Sequence, residues 1–456
     1  MITKRLAHVA VVSLGLAFAS SAYATNGYFI HGVGTKSNGM AGAGVALPQD
    51  AMIAGTNPAG MVFVGNRTDL GLALFSPRRS YQTTASQLNG NMGAFTIGPN
   101  NLDSGREWFV LPNFARNWMI DESSSWGITL YGNGGMNTTW TGGTASFDPD
   151  GPGPAPVGTF QGTYGAGKAG VDLAQMFVNL SYARKTSGNS AIGGALILAA
   201  QRFRAEGVGS FAPFTRTFAA SGGMSMPTRL TNNDHEMSYG FGAKVGFQSM
   251  LSDTVSVAGS YQSRIYMSEF DDYADLFAES GDFDIPPSAT IGIAFDASEN
   301  FKVAIDVQHT WFSDVDSVGN PIANIFACPT AGAGGTDLES CLGGERGAGF
   351  GWDDVTTFKI GGQWAGSNGW TWRAGYSHAE QPIGTTELTF NILAPGVVED
   401  HLTFGFTKDT DQGEWNFAVM HALNEEVSGP NSFDPTQSIN IEMNQFSVEL
   451  GYSWEF

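Results

Sequence analysis

Phe446-Ser447-Val448-Glu449-Leu450-Gly451-Tyr452-Ser453-Trp454-Glu455-Phe456 ends the chain. Every second residue, from Phe446 through Val448, Leu450, Tyr452 and Trp454 to Phe456, is apolar or aromatic, and those between are Ser, Glu or Gly. Side chains of an extended strand alternate between two faces, so this stretch is a strand with one greasy side.

The same alternation recurs upstream. Residues 239 to 247 set Tyr239, Phe241, Ala243, Val245 and Phe247 against Gly240, Gly242, Lys244 and Gly246, and residues 301 to 307 set Phe301, Val303, Ile305 and Val307 against Lys302, Ala304 and Asp306. Between residues 67 and 456 fourteen such segments can be placed. The chain carries only 14% charged residues, 12% aromatics and 61 glycines, its mean hydropathy is near zero, and no segment after residue 25 is apolar enough for a transmembrane helix. Weak overall hydrophobicity with strong two-residue alternation is what a transmembrane β-barrel shows, because only every second side chain meets lipid. The expected fold class is therefore all-β, an antiparallel barrel over residues 67–456.

The connections alternate too. Short turns such as Lys185 to Asn189 and Ala297 to Asn300 follow even strands, and long loops at 141–171, 206–234, 315–348 and 425–442 follow odd ones. Barrels of the bacterial outer membrane keep short turns on the periplasmic side, so an even count predicts that both termini are periplasmic. The C-terminal Phe resembles the assembly signal of that class, which implies recognition of the strand ending at Phe456 by barrel-assembly machinery. The first residues fit export: Lys4 and Arg5, an apolar run from Val9 to Ala19, then Ala22-Tyr23-Ala24 read as a cleaved leader over residues 1–24.

With 22 Lys and Arg against 43 Asp and Glu, a formal charge of −21, nucleic acid is an improbable partner on electrostatic grounds. The two cysteines, Cys328 and Cys341, fall in the loop after strand nine. In an exported protein they read as one disulfide, and no cluster of further Cys or His suggests a metal.

Residues 25–66 do not alternate and are rich in Gly and Ala, as in Gly39-Met40-Ala41-Gly42-Ala43-Gly44. A flexible linker and a plug inside the barrel are both open readings. Asn26-Gly27-Tyr28, Gly39 to Ala43 and above all Asn57-Pro58-Ala59, followed at once by the first strand, resemble the N-terminal hatch of the FadL/TodX family of outer-membrane transporters of hydrophobic compounds. The resemblance implies a monomeric fourteen-stranded barrel with a hatch at 25–66. It further implies capture of a long-chain fatty acid, or of a hydrocarbon or monoaromatic, by apolar external loops, passage into an apolar lumen, and lateral exit near a kinked strand. Asn133-Gly134-Gly135 is a Gly-rich candidate for such a kink.

Enzymatic motifs are incomplete, and no cofactor is expected. Gly162, Gly167 and Lys168 have the spacing of a phosphate-binding loop, but Ala169 replaces the Ser or Thr. Gly375-Tyr376-Ser377-His378 lacks the last Gly of a nucleophile elbow, which leaves an outer-membrane lipid hydrolase without a recognisable constellation. A general aqueous porin is the other rival. It would line its lumen with charge and lack the long preface.

Two places could take substrate. The loop 206–234 carries Phe211, Phe214 and Phe218 with Met224 and Met226, and the loop near 271–284 adds Tyr273, Leu276 and Phe277; the family resemblance implies that these loops are where substrate first docks. In strand five Arg202 and Arg204 share a parity with Leu196 and Leu198. Charge cannot face lipid cheaply, so that parity is expected to point inward, giving an apolar strip capped by two guanidiniums suited to a carboxylate. The competing reading pairs the arginines with lumen acids or sets them at the rim beside lipopolysaccharide phosphates.

Overall fold

The computed structural model describes residues 26–149 and 156–456; the leader expected at residues 1–24 lies outside the described residues. Among the described residues fourteen antiparallel strands close into a barrel: β1 Arg67–Thr83, β2 Phe109–Asp121, β3 Ser124–Asn137, β4 Gly170–Ser187, β5 Ser190–Phe203, β6 Glu236–Ser252, β7 Val255–Gln262, β8 Ser288–Ser298, β9 Phe301–Thr310, β10 Val355–Ala365, β11 Trp370–Ala379, β12 Asp400–Thr410, β13 Gly413–Asn431 and β14 Asp434–Glu455. Each strand pairs with its sequence neighbour. Closure comes from β1 on β14, which pair without a break from Arg67↔Glu455 to Thr83↔Ile439. Closing the sheet removes the unpaired edges that lipid could not solvate.

Alternation sets the two faces. On β14 Leu450 and Phe446 are exposed while Glu449, Gln445 and Met443 are buried; on β1 Leu70, Leu72 and Leu74 are exposed while Ala73 and Phe75 are buried. The exposed apolar rows form the lipid-facing band, and tryptophans and tyrosines such as Trp126, Tyr182, Trp415 and Trp364 rim it at the turn end.

One connection differs from expectation. Residues 425–442, read as a long loop, are hydrogen-bonded strand, and β13 and β14 are joined by Ser432-Phe433 alone. Their outward residues there, Glu426, Glu442 and Asn440, are polar because the hairpin projects past the lipid band, and the inward Ile439, Ile441 and Met443 are buried against loops. Polarity on the outer face was the source of the loop reading.

Residues 26–66 lie against inward side chains around the barrel. The Gly44 and Val45 amides donate to Asp306 on β9 at 2.8 and 2.9 Å, Ala51 N to Asp69 on β1 at 2.8 Å, Ala41 N to Thr403 on β12 at 2.8 Å, and Thr35 Oγ1 to Glu449 on β14 at 2.7 Å. Lys36 pairs with Glu414 on β13 at 2.6 Å. A segment with little regular structure leaves many backbone groups unpaired, and the inward carboxylates and hydroxyls of the wall satisfy them.

Candidate functional site: a loop pocket, an aromatic line and a gap in the wall

At the loop end an apolar pocket is lined by Phe211 and Val208 from the 204–235 connection, Leu276 and Phe277 from 263–287, Leu342 and Phe350 from 311–354, and Phe390 and Leu393 from 380–399. Of the residues expected to take substrate, Phe211, Leu276 and Phe277 thus meet in one pocket. Phe214 stands behind it, 6.3 Å from Phe211 and 5.6 Å from Phe433 between ring centres. Phe218 sits on the short helix Arg216–Ala220 away from the pocket wall, and Met224 and Met226 project into solvent. The contributions of the 311–354 and 380–399 loops were missed in sequence; their signal was apolar residues such as Leu342, Phe350 and Phe390 in stretches without alternation. The 311–354 loop is closed by the Cys328–Cys341 disulfide, as the sequence led one to expect.

From the pocket a line of rings runs into the barrel. Phe277 lies 4.8 Å from Phe283, Phe283 lies 6.3 Å from Tyr28, and Tyr28 lies 4.9 Å from Phe29, with Phe312 and Trp352 packed on Tyr28 at 5.4 and 5.7 Å. The line ends at a defect in the wall. The β2–β3 ladder runs only from Asn113↔Tyr131 to Asp121↔Ser124, so the loop end of β3, from Gly132 to Asn137, has no β2 partner. A bulge at Asn133 shifts the register of β3 against β4 between Gly132 and Gly134, within the Gly-rich stretch singled out as a kink candidate. Residues 28–30 take the vacant place: Ile30 N donates to Asn133 O at 2.9 Å, Gly135 N donates to Tyr28 O at 3.0 Å, and Phe29 bridges Gly134. Glycine is required here because a Cβ on Gly134 would stand 2.0 Å from Tyr28 O.

Two small cavities, one larger than the other, flank residues 30–33. Into the larger project Lys244 of β6 and Lys359 of β10, both buried. Lys244 Nζ donates to Gly55 O, and Lys359 Nζ donates to His31 O at 3.0 Å and to Gln308 Oε1 at 2.8 Å. Their hydrogen-bond acceptors are carbonyl oxygens rather than carboxylates. In sequence Lys244 is the one charged residue on the inward parity of residues 239–247.

Asn57-Pro58-Ala59 opens the short 3-10 helix Pro58–Phe63, and the Asn57 side chain caps it by accepting from Ala59 N at 3.1 Å. The Asn57 amide donates to Phe247 O at 3.0 Å and Val45 O at 3.2 Å. Gly193 and Gly246 of the wall leave the room: a Cβ on either would come within 2.5 Å of Ala59 N or 2.1 Å of Asn57 Oδ1.

Strand five corrects the sequence reading. Leu196 and Leu198 are 47% and 45% exposed, opposite the exposed Leu180 and Phe241, whereas Ala195, Ile197, Ala199, Gln201 and Phe203 are buried. The shared parity of Leu196, Leu198, Arg202 and Arg204 is real, but it points outward. Arg202 and Arg204 stand beyond the end of the apolar band, where charge on the outer face no longer meets hydrocarbon. They do not line the lumen and cannot cap an internal apolar strip.

A fourteen-stranded barrel with an apolar pocket among its loops, an interior occupied by its own N-terminal segment and a gap at a bulged strand defines a class of outer-membrane transport protein. Residues 16–411 match the model of the outer membrane protein transport family OMPP1/FadL/TodX, and the chain belongs to that family. Its location in the bacterial outer membrane follows. Among solved structures it is similar in fold to the Pseudomonas putida toluene transporter TodX (17% identity, TM-score 0.61, covering 93% of this chain and 99% of that one) and to a Pseudomonas aeruginosa FadL homologue (16%, 0.64, 94% and 100%). The Ralstonia pickettii toluene transporter TbuX is also similar (15%, 0.59, 93% and 99%). No curated protein matches the chain in sequence.

Proposed function

We propose that the chain carries hydrophobic compounds inward across the outer membrane, with long-chain fatty acids as its cargo. The loop end faces outward and both termini lie in the periplasm. Cargo docks in the pocket of Phe211, Leu276 and Phe277, passes along the ring line through Phe283 and Tyr28, and leaves sideways where β3 lacks its β2 partner. Residues 25–66 act as a hatch that blocks the straight aqueous route. The continuity of that ring line, from the loop pocket to the one break in the β2–β3 ladder, is the observation that carries the reading. Apolar surface lowers the free energy of an alkyl chain at each point along it, and a lateral exit returns the chain to lipid without crossing water.

Lys244 and Lys359 favour a fatty acid over a neutral aromatic. A buried ammonium is costly unless paired, and here the partners are backbone and amide oxygens that a travelling carboxylate can replace. Uptake of labelled oleate and of toluene into cells lacking their own transporters tests the reading. Uptake of oleate above the empty-vector level is expected, and uptake of neither compound overturns it. Lys244→Met with Lys359→Met should lower oleate uptake about ten- to hundredfold, the worth of one charge-assisted hydrogen bond, and spare toluene. Equal loss of both would assign the lysines to the fold.

A further inference from the structure

The gap between β2 and β3 is a window with a lower and an upper edge. Its lower edge is the pair Asn113↔Tyr131, where the β2–β3 ladder stops. Its upper edge is the contact of residues 104–105 with Thr139: Gly105 N donates to Thr139 O at 2.9 Å, and Thr139 N donates to Ser104 Oγ at 3.0 Å. Between them the open side of β3 presents backbone groups of Asn133, Gly135 and Asn137 in turn. Ile30 meets the first and Tyr28 the second. The third is met by a side chain, since Arg79 of β1 reaches past the end of β2 and donates Nη1 to Asn137 O at 2.7 Å.

Arg79 is 4% exposed, and that bond uses one of the five donors of a guanidinium. Its Nη2 is buried without a partner, and among the described residues no carboxylate pairs with it. The neighbourhood is apolar: Met443 lies directly across on β14 and Tyr81 is two residues on, both buried. Arg78, of the opposite parity, is exposed and pairs with Glu107. A buried cation without a countercharge is expensive, and an anion that brings its own apolar body removes the cost without admitting water. Depth narrows the kind of anion. Asn137 follows Trp126, at the turn-end rim of β3, by eleven residues. At about 3.3 Å per residue and a tilt of about 40° they span about 28 Å of height, slightly more than the lipid-facing band of about 25 Å. Arg79 therefore stands at the level of the outer headgroups, while the window below it, at Gly134, opens on hydrocarbon.

We propose that Arg79 holds the carboxylate of the cargo during lateral exit, so that the head is caught at the upper edge of the window and the alkyl chain leaves first, through the place that residues 28–30 give up. The inference rests on the reading of fatty acids as cargo. Nη1 stays on Asn137 O while Nη2 takes the carboxylate, so catching the head breaks no bond of the wall. Arginine can grip a carboxylate with two donors, which makes the hold stronger than one to a neutral hydroxyl. The chain comes to lie along the acyl tails of the leaflet with its head at headgroup level, the orientation a fatty acid keeps in a bilayer, and release of the head completes the exit. A neutral hydrocarbon finds no hold there and passes without this step.

Photolabelling of the full-length protein in lipid vesicles tests the site with two probes, oleate and oleyl alcohol, each carrying a diazirine beside its head. Head-labelled oleate is expected to mark residues 75–81 and 135–139, and the alcohol is not. Labelling there should fall about tenfold, or 1.4 kcal/mol, in Arg79→Gln, whose amide can still donate to Asn137 O, and should be unchanged in Arg78→Gln. Should Arg79→Gln fail to insert, Arg79→Lys, which keeps the charge but not the paired donors, is expected to lose several-fold. Equal marking by the alcohol, no marking by oleate, or wild-type marking in an inserted Arg79 variant would each overturn the proposal. Uptake into cells separates the site from the reading beneath it. Wild-type protein that is marked at Arg79 but takes up no oleate refutes the transport reading and keeps the site, whereas wild-type uptake that Arg79→Gln leaves unchanged refutes the role of Arg79 in exit and keeps the reading.

Discussion

The β1–β14 seam and the β2–β3 contact are both places where two neighbouring strands meet, yet one is unbroken and the other stops at Tyr131. At the seam, lipid-facing Leu72 and Leu450 are exposed side by side and the backbone ladder is complete. At the gap, the vacant groups of β3 are met from inside by residues 28–30. Lipid allows no unpaired backbone, so the wall can be open only where something else supplies the hydrogen bonds. That substitution ties the state of the gap to the state of the N-terminal segment.

Four experiments probe the contrast. Deleting residues 27–60 while keeping residues 1–26 removes the material inside the wall; the barrel should still insert through its intact seam, and single-channel conductance in a planar bilayer should rise from near closed to porin-like. Unchanged conductance would deny the segment its blocking role. A charge at the seam should be next in size: Leu450→Arg is expected to cost about 2–4 kcal/mol near mid-bilayer, read from urea unfolding in lipid vesicles, and Leu198→Arg should cost the same because it too faces lipid. A cost near zero at Leu198 would restore it to the lumen. Gly134→Ala forces a methyl against Tyr28 O and should separate residues 28–30 from β3 at about 1–3 kcal/mol of strain, seen as faster exchange of the Ile30 and Gly135 amides with the seam amides unchanged.

The smallest effect concerns the pocket loops. Burial, then the neighbouring charge of Asp284, pushes the Asp282 carboxyl up to about 7. A carboxyl whose folded value is raised stabilises the fold when protonated, so its contribution is full below the ordinary value near 4 and is lost as pH rises through about 7. Amide exchange across 263–287, corrected for its intrinsic pH dependence, should therefore be slower at pH 5 than at pH 8, and Asp282→Asn should remove the difference.

Strand count and face assignment over most of the wall were legible because lipid enforces parity: a charged residue such as Lys244 or Glu449 among alternating apolar ones has only one side to go. The disulfide was legible from a pair of cysteines in a chain read as exported, and the bulge only as one Gly-rich candidate, Asn133-Gly134-Gly135. The same rule misled at the strand tops. Arg202 and Arg204 sit just past the apolar band, where the outer face tolerates charge again, and nothing local to β5 marks that edge. The polar outer face of 425–442 hid a hairpin for the same reason. In the pocket, Phe211, Leu276 and Phe277 stood out as apolar residues in loops, but their meeting with Phe350 and Phe390 depends on how four connections fold over one another, which carries no periodicity.

The seam has a kinetic side. It joins the first strand to the last, and contacts so distant along the chain form late and slowly. Its inward acids, Glu449 on β14 and Asp69 on β1, take their hydrogen bonds from Thr35 and Ala51 of the segment that precedes β1. Filling the barrel and zipping it are thus coupled into one late step, with the filler acting as a template for the final pair of strands. Glu449→Gln should then slow the appearance of the heat-modifiable folded band on a denaturing gel while leaving its final yield intact, whereas an unchanged rate would mean that the barrel closes first and is filled afterwards.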